Sequence, residues 1–289
     1  MKRICFVSLL LPLLLVSCSD DKEATVEEES AEVSYRQVTL TEVMTSDAQP
    51  VTNTQTYLYA DDLLTSYTML QSFEANGEEM SMESTTSVTY SGNQVLVSDD
   101  SGNELTYTLD TDHGCATACV WQQGGGSVRQ YTFSYTDTSA GKHLLSYLTE
   151  TLEDASTPYS TVSIDYTDEQ APIISIRIDT YEQSYQLTVP TSSAGTANVS
   201  HLPCLFFTES YPLSVHAVAL YGGLLGDAFD TLVTALQPTN NSESEEITTY
   251  TYTTDSDDIL TSCVAKTVSY GSTYRRTINY EIGEVETEE

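Results

Sequence analysis

Side chains able to perform catalysis are abundant in this chain, but they form no recognisable catalytic pattern. The sequence holds four histidines and 43 aspartates and glutamates, without a nucleophile elbow, a zinc-protease helix, a phosphate loop or a dinucleotide fingerprint. We interpret His201 and His216 as packed or capping residues and not as general bases. With so many acids, closeness in sequence cannot single out a glycosidase carboxylate pair. The sequence therefore predicts a non-enzymatic protein without a cofactor.

Two short acidic stretches offer oxygen ligands that would suit calcium. They are Asp110-Thr-Asp112-His113 and Asp255-Ser-Asp257-Asp258. Neither has the glycine and the distal glutamate of a calcium-binding loop at the required spacing. Aspartate also forms hydrogen-bonded turns between strands. We therefore predict turns at Asp110, Asp112, Asp255 and Asp257, and no metal.

One stretch has the residue types of a sugar-binding cleft. The single tryptophan, Trp121, is followed by Gln122, Gln123 and three glycines. An aromatic ring covers the apolar face of a sugar, and amides bond to its hydroxyl groups. Trp121, Gln122 and Gln123 are therefore candidate ligand-binding residues. The competing interpretation is that Trp121 belongs to the core.

Cysteine offers a third kind of chemistry. Cys5 and Cys18 lie in the N-terminal leader described below, which leaves Cys115, Cys119, Cys204 and Cys263. Cys115 and Cys119 are predicted to form a disulfide if a turn joins them. Zinc is not predicted, since no second Cys or His pair follows at a zinc-site spacing.

The first eighteen residues resemble the leader of a bacterial lipoprotein. Lys2 and Arg3 precede an apolar run over 4–16, and Ser17 stands before Cys18. Such a run is too short to span a membrane and ends at a small-residue cleavage site. Residues 1–17 are thus predicted to be a signal peptide, and Cys18 to carry lipid.

The acidic segment that follows is predicted to be a disordered tether over residues 18–34. Its start, Ser19-Asp20-Asp21, resembles the export signal of Bacteroidota surface lipoproteins. That resemblance implies the outer face of the outer membrane, with a periplasmic orientation as the alternative. Loss of Lys2 and Arg3 with the leader takes the net charge from −33 to −35. Such a charge repels nucleic acid and excludes it as a partner.

From Tyr35 to residue 283 the pattern is that of strands with one buried and one wet face. Apolar residues alternate with Thr, Ser or Asp, and short turn sequences separate the runs. Strands joined by short connections are antiparallel neighbours. We predict a single mainly β domain, a meander of hairpins forming a curved or barrel-like sheet, followed by an acidic tail over 284–289. The clearest alternating runs are Leu105/Tyr107/Leu109, Tyr131/Phe133/Tyr135, Ile174/Ile176/Ile178 and Ile278/Tyr280/Ile282.

Residues 198–238 break this alternation. Apolar residues recur there at helix-like spacings, interrupted by Gly222, Gly223 and Gly226. We predict a short helical insertion near 211–237 that packs on the sheet or plugs one end of it.

The same region carries a family resemblance. Residues 220–227, Leu-Tyr-Gly-Gly-Leu-Leu-Gly-Asp, and 249–255, Thr-Tyr-Thr-Tyr-Thr-Thr-Asp, resemble the closing signature of a lipoprotein family of gut Bacteroidota. This family is a domain of unknown function with a porin-like fold, and its turn carries glycine where this chain has Asp258. The resemblance implies a barrel-like fold and no activity. The residues that alternate with the apolar ones are polar. The sequence therefore has no apolar outward band of the kind that faces lipid in a membrane barrel.

Together these features predict a lipid-anchored protein of the outer membrane, facing the cell surface, that binds a glycan or an envelope protein. A structural envelope component without its own ligand is the alternative, and an unrecognised hydrolase is a second one. A cleft with exposed aromatic rings would favour binding. Two carboxyl groups converging in a pocket would favour the hydrolase.

Overall fold

The computed structural model describes residues 34–45, 50–124, 126–239 and 246–285. The predicted signal peptide, the lipid attachment at Cys18 and the tether up to residue 33 lie outside the described residues. So do residues 286–289, most of the predicted acidic tail. Within the described part, no helix has the length and apolar character needed to cross a membrane.

Sixteen strands are formed by the described residues. They are β1 Tyr35–Thr45, β2 Pro50–Ala60, β3 Leu63–Ala75, β4 Glu78–Ser91, β5 Gln94–Asp99, β6 Glu104–Leu109, β7 Ala116–Gln122, β8 Val128–Asp137, β9 His143–Leu152, β10 Ser160–Asp165, β11 Ile173–Ile178, β12 Tyr181–Thr188, β13 Ala235–Pro238, β14 Ile247–Thr254, β15 Leu260–Ser269 and β16 Ser272–Glu284. β16 thus extends one residue beyond the predicted domain boundary.

The strands form a closed barrel. Each strand pairs antiparallel with its neighbour in sequence, and β1 pairs with β16 to close the sheet. In that closing pair, Val38 lies opposite Ile282 and Leu40 lies opposite Tyr280. The predicted mainly β meander is therefore confirmed, and its curvature is complete.

Alternation along the strands separates the interior of the barrel from its outer surface. On β8, Tyr131 and Phe133 are buried while Gln130 and Thr132 are exposed. Successive side chains of a strand point to opposite faces, so buried positions recur at every second residue. The outer face accordingly carries mostly Thr, Ser and charged residues, as on β16 with Thr277, Asn279 and Glu281 exposed.

The connections lie at two ends of the barrel. The one long insertion within the described residues, 189–234, leaves and re-enters the sheet at one end, here called the insertion end. The opposite end is called the far end. Because the strands alternate in direction, the connections 61–62, 92–93, 110–115, 138–142, 166–172 and 255–259 share the insertion end.

The helical part of the insertion differs from the prediction. Within the described residues it comprises α1, Leu205–Glu209, a 3₁₀ turn, Leu213–His216, and α2, Ala217–Tyr221. The predicted helix near 211–237 is thus wrong beyond Tyr221. Gly222 caps α2, and Gly223 adopts a φ of +70° that ends helical geometry. Beyond Tyr221 the apolar residues belong to a non-helical segment that is buried on several sides.

The insertion fills the barrel. Residues 198–234, here called the plug, supply Leu213, His216 and Ala219, each with 0 % exposure. The Tyr59 hydroxyl on β2 donates to the Tyr221 carbonyl over 2.9 Å. His216 Nδ1 lies 2.8 Å from the Tyr107 hydroxyl on β6. The interior is therefore a packed core and not an open lumen.

A buried ion pair ties the plug to the wall at β8 and β9. Glu150 has 0 % exposure and pairs with Arg129. The Ser160 hydroxyl donates to Glu150 Oε2 over 2.5 Å, and the Tyr131 hydroxyl to Oε1 over 3.2 Å. Tyr211 of the plug also donates to this carboxylate. One acid on β9 thus gathers donors from two neighbouring strands, β8 and β10, and from the plug.

The predicted disulfide is wrong in this structure. Cys115, Cys119, Cys204 and Cys263 are all free thiols. Cys119 lies within β7 and Cys115 just before it, so no turn joins them. Four residues of extended chain separate their Cα atoms by about 13 Å, well beyond the reach of a disulfide.

Candidate functional site

A cavity of about 590 Å³ lies between the plug and the barrel wall at the insertion end. Binding sites for small organic ligands fall in this size range. Wall residues Arg36, Tyr59 and Tyr166 line one side, and plug residues including Tyr221 and Phe229 line the other. The cavity is the main candidate for a functional site among the described residues.

Aromatic side chains form much of the cavity wall. Tyr166 and Phe229 meet edge to face, with ring centroids 6.3 Å apart. The Tyr166 hydroxyl donates to the Leu145 carbonyl over 2.9 Å, so both this ring and Tyr59 are held by a hydrogen bond to the backbone. Burial raises the pKa of Tyr59 to about 12. These phenols are therefore fixed, neutral surfaces that can contact an apolar ligand face.

Arg36 provides a hydrogen-bond donor at the cavity. It lies directly opposite Tyr59 in the β1–β2 register, and its guanidinium carbon is 4.3 Å from the Tyr59 ring centroid. Its Nε is buried and has no hydrogen-bond partner among the described residues. The guanidinium lines the cavity and carries further N–H donors for a ligand acceptor.

Lys142, another basic residue in the cavity lining, already has partners within the protein. Lys142 Nζ lies 2.8 Å from Asp230 Oδ1 and donates to the Ala228 carbonyl over 3.3 Å. Asp227, also in the lining, accepts the His143 backbone N–H at 2.7 Å. Arg36 therefore differs from Lys142 in having donor capacity to offer.

The plug loop that borders the cavity is held close to β9. Gly226 bridges to Leu144, and a Cβ at Gly226 would lie 2.5 Å from the His143 carbonyl oxygen. Only glycine accommodates both this approach and the positive φ. This glycine belongs to the sequence motif over 220–227, so the motif shapes the cavity wall.

The predicted sugar-binding residues do not form a cleft. Trp121 is partly buried and packs against the core, with Arg129 5.5 Å from its ring. Gln122 follows on the opposite face of β7 and is exposed. Gln123 accepts a hydrogen bond from Ser127 in its own turn at the far end. The structure thus does not bring Trp121, Gln122 and Gln123 together in one cleft, and it packs the Trp121 ring against the core, the alternative interpretation.

The two acidic stretches are hydrogen-bonded turns, as predicted. Asp110 Oδ1 accepts the backbone N–H groups of His113 and Gly114 over 2.8 and 2.9 Å. Asp255 Oδ1 accepts those of Asp257 and Ile259, both over 2.9 Å. Backbone hydrogen bonds, first that of His113, lower the pKa of Asp110. The side chains of Asp112 and Asp257 are exposed, and the hydrogen bonds that hold the two turns are accepted by Asp110 and Asp255.

The histidines of the plug differ in position. His216 is enclosed by Tyr107 and Tyr131, and burial lowers its pKa to about 3. It is therefore a neutral, packed residue, as the sequence indicated. His201 lines the cavity with a φ of +53°.

Sequence reasoning missed the cavity residues. Arg36 was not singled out, because its role depends on the strand that lies opposite it. Tyr166 and Phe229 are 63 positions apart and meet only through the fold. The one usable signal was the glycine-containing motif over 220–227, whose glycines mark a place where the backbone packs closely.

A closed antiparallel barrel filled by its own inserted segment defines a protein of the porin-like class. A family model described as a domain of unknown function (DUF4595) with porin-like fold matches residues 58–262. The chain belongs to this family, which confirms the resemblance noted in the sequence.

A solved structure supports the same assignment. The chain is similar to a porin-like protein from Bacteroides uniformis ATCC 8492, with 44% sequence identity and a TM-score of 0.79. The alignment covers 86% of this chain and 97% of that one. Among curated proteins, none matches this chain.

Proposed function

We propose that the protein is a lipid-anchored, non-enzymatic binding module of the outer membrane, and that its ligand occupies the cavity at the insertion end. The observation that carries this proposal is the cavity itself, with fixed aromatic walls and the free Arg36 donor. A packed interior with a cavity at one end favours capture of a ligand over passage through the barrel.

A glycan is the ligand class that this lining favours. Tyr59, Tyr166 and Phe229 offer flat apolar surfaces, which suit the C–H face of a sugar ring. The Arg36 guanidinium lines the cavity and can donate to a sugar hydroxyl or carboxylate. The alternative ligand is a side chain of an envelope protein, for which the same recess would be the anchor point.

Two observations support an outer-membrane location: the lipoprotein-like leader and the similarity to a porin-like protein. Residues 1–17 and Cys18 have the charge, apolar run and small residue of a lipoprotein leader. A porin-like relative from Bacteroides supports an envelope location. We place the domain on the cell surface because Ser19-Asp20-Asp21 follows the cysteine.

Binding to a panel of host and bacterial oligosaccharides, measured by calorimetry, tests the proposal. We expect saturable binding that Arg36→Gln weakens about tenfold or more, since a charge-assisted hydrogen bond is lost. Ala228→Trp should abolish binding by filling the cavity that Ala228 lines. Arg275→Gln makes the same charge change at an exposed position of β16 and should bind normally.

Each outcome decides between sites and ligands. Binding that survives both cavity substitutions would place the ligand elsewhere and overturn the cavity assignment. A panel without any saturable binder would overturn the glycan assignment, and the protein-partner alternative would then be tested by crosslinking in native membranes with the same variants.

A further inference from the structure

A compact group of metal-ligating side chains lies on the insertion end, outside the cavity. Asp110 and His113 belong to the connection between β6 and β7, and His143 is the first residue of β9. One ligand atom from each lies within 4.8 Å of the others. The turn around Asp110 uses Oδ1 for backbone N–H groups, while Oδ2 faces His113 Nδ1 at 3.9 Å.

His143 is oriented as a metal ligand would be. Its Nδ1 lies 2.7 Å from Asp137 Oδ1, and its Nε2 is buried without a hydrogen-bond partner among the described residues. An Nδ1–H that donates to a carboxylate leaves the lone pair on Nε2. A carboxylate that holds the second nitrogen of a histidine is the usual outer shell of a protein-bound metal.

The imidazole rings are held parallel against an aromatic wall. His113 and His143 stack with centroids 4.0 Å apart and an interplanar angle of 7°, and Tyr135 covers the other face of His143 at 4.7 Å. These ring contacts fix the orientation of His143 at the insertion end.

We propose that Asp110, His113 and His143 bind one divalent transition-metal ion of the zinc class. Two imidazole nitrogens and one carboxylate oxygen match the ligand preference of zinc, whereas calcium requires six or more oxygens. Three protein ligands leave a fourth position for water. This site is separate from the glycan proposal and stands without it.

Metal binding requires the His113 ring to rotate out of its stack on His143, because the nitrogen lone pairs of two parallel rings cannot converge on one ion. Bonds of 2.0–2.1 Å in a tetrahedron place ligand atoms about 3.3 Å apart. The His113 side chain is 49% exposed, against 18% for His143, so His113 is the ligand free to move. The ion would fasten the β6–β7 connection to β9, and through Asp227, which accepts the His143 N–H, to the plug.

Calorimetric titration of the chelator-treated protein with zinc chloride tests this proposal. We expect one ion per chain and a rise in Tm on binding. His113→Ala and His143→Ala should each weaken binding more than tenfold. Asp137→Asn should weaken it about 10- to 100-fold, the range found for outer-shell partners. Binding should also weaken in acid, because protonated imidazole cannot bind metal.

Two controls separate the site from general charge. Asp112→Asn removes an exposed acid from the same connection, and His201→Asn removes a histidine from the same end; both should bind zinc normally. Absence of zinc binding, or binding unchanged in His113→Ala, would overturn the proposal, as would calcium binding in place of zinc. His113 is exposed, so its variant remains decisive even if His143→Ala fails to fold.

Discussion

Glu150 shows how single residues inside the barrel depend on their neighbours. Burial opposes ionisation of Glu150, but hydrogen bonds from Ser160, Tyr211 and Arg129 outweigh it, so its pKa is lowered. The hydrogen bond to Glu150 in turn raises the pKa of Arg129. The pair is therefore ionised at neutral pH.

Replacing Glu150 with Gln should lower the free energy of unfolding by about 3 kcal/mol at pH 7, because Arg129 loses its buried counter-ion. A lowered pKa contributes stability above the ordinary glutamate pKa, and this contribution disappears as pH falls through the lowered value. The deficit of the variant should therefore shrink in acid. Urea denaturation from pH 3 to pH 8 measures it.

Glu104→Gln serves as the matched control, since Glu104 is exposed on β6. Its effect should stay within about 0.5 kcal/mol. A deficit for Glu150→Gln that is the same at every pH would contradict the assignment of a charged Glu150.

Residue identities alone predicted the turns at Asp110 and Asp255 but not the sites. Aspartate hydrogen-bonds to backbone two to four residues away, so its role is local and readable. His113 and His143 come together because β6, β7, β8 and β9 are neighbours in the sheet. The role of Trp121 could not be predicted, because a tryptophan in the core and a tryptophan in a binding site can have the same sequence pattern.

Strands could be predicted from the sequence where one face is buried and the other is exposed to solvent. The period of two along β8 and β16 follows directly from the barrel wall. The plug is enclosed on several sides, so its apolar residues obey no single period. The glycines at 222 and 223 end α2 at Tyr221, although the apolar spacing continues beyond it.

At Gly226 the backbone of the plug packs closely against β9. Gly226→Ala should destabilise the fold by about 1–3 kcal/mol, because the new Cβ would clash with the His143 carbonyl at a φ of +92°. Thermal denaturation measures the change. Gly283→Ala on β16 is the control: its Cβ meets nothing within 4 Å, so stability should be kept or slightly increased. Equal effects of the two substitutions would contradict the close packing of the plug.

At the scale of the whole molecule, charge and anchoring must be considered together. A net charge of −33 gives the protein no electrostatic attraction to anionic lipid. The outward side chains of β8 and β16 are polar as well. Membrane association is therefore expected to depend on the lipid proposed at Cys18.

Cys18→Ala should release the protein from membranes, as measured by fractionation of cells that express the full chain. Cys5→Ala makes the same substitution within the predicted signal peptide. Because residues 1–17 would be removed with that peptide, this variant should stay membrane-bound. If the Cys18→Ala variant remains with the membranes, the lipid anchor is wrong.

The filled interior also determines what can pass along the barrel axis. Tyr57 and Tyr221 stack at 3.8 Å between their centroids, and His216 and Leu213 lie wholly enclosed nearby. An ion moving along the axis would have to shed its hydration among these side chains, at a cost of many kcal/mol. Permeation would require the plug to leave the barrel and expose the core that it forms. In the described residues, the porin-like arrangement of strands thus surrounds a packed plug.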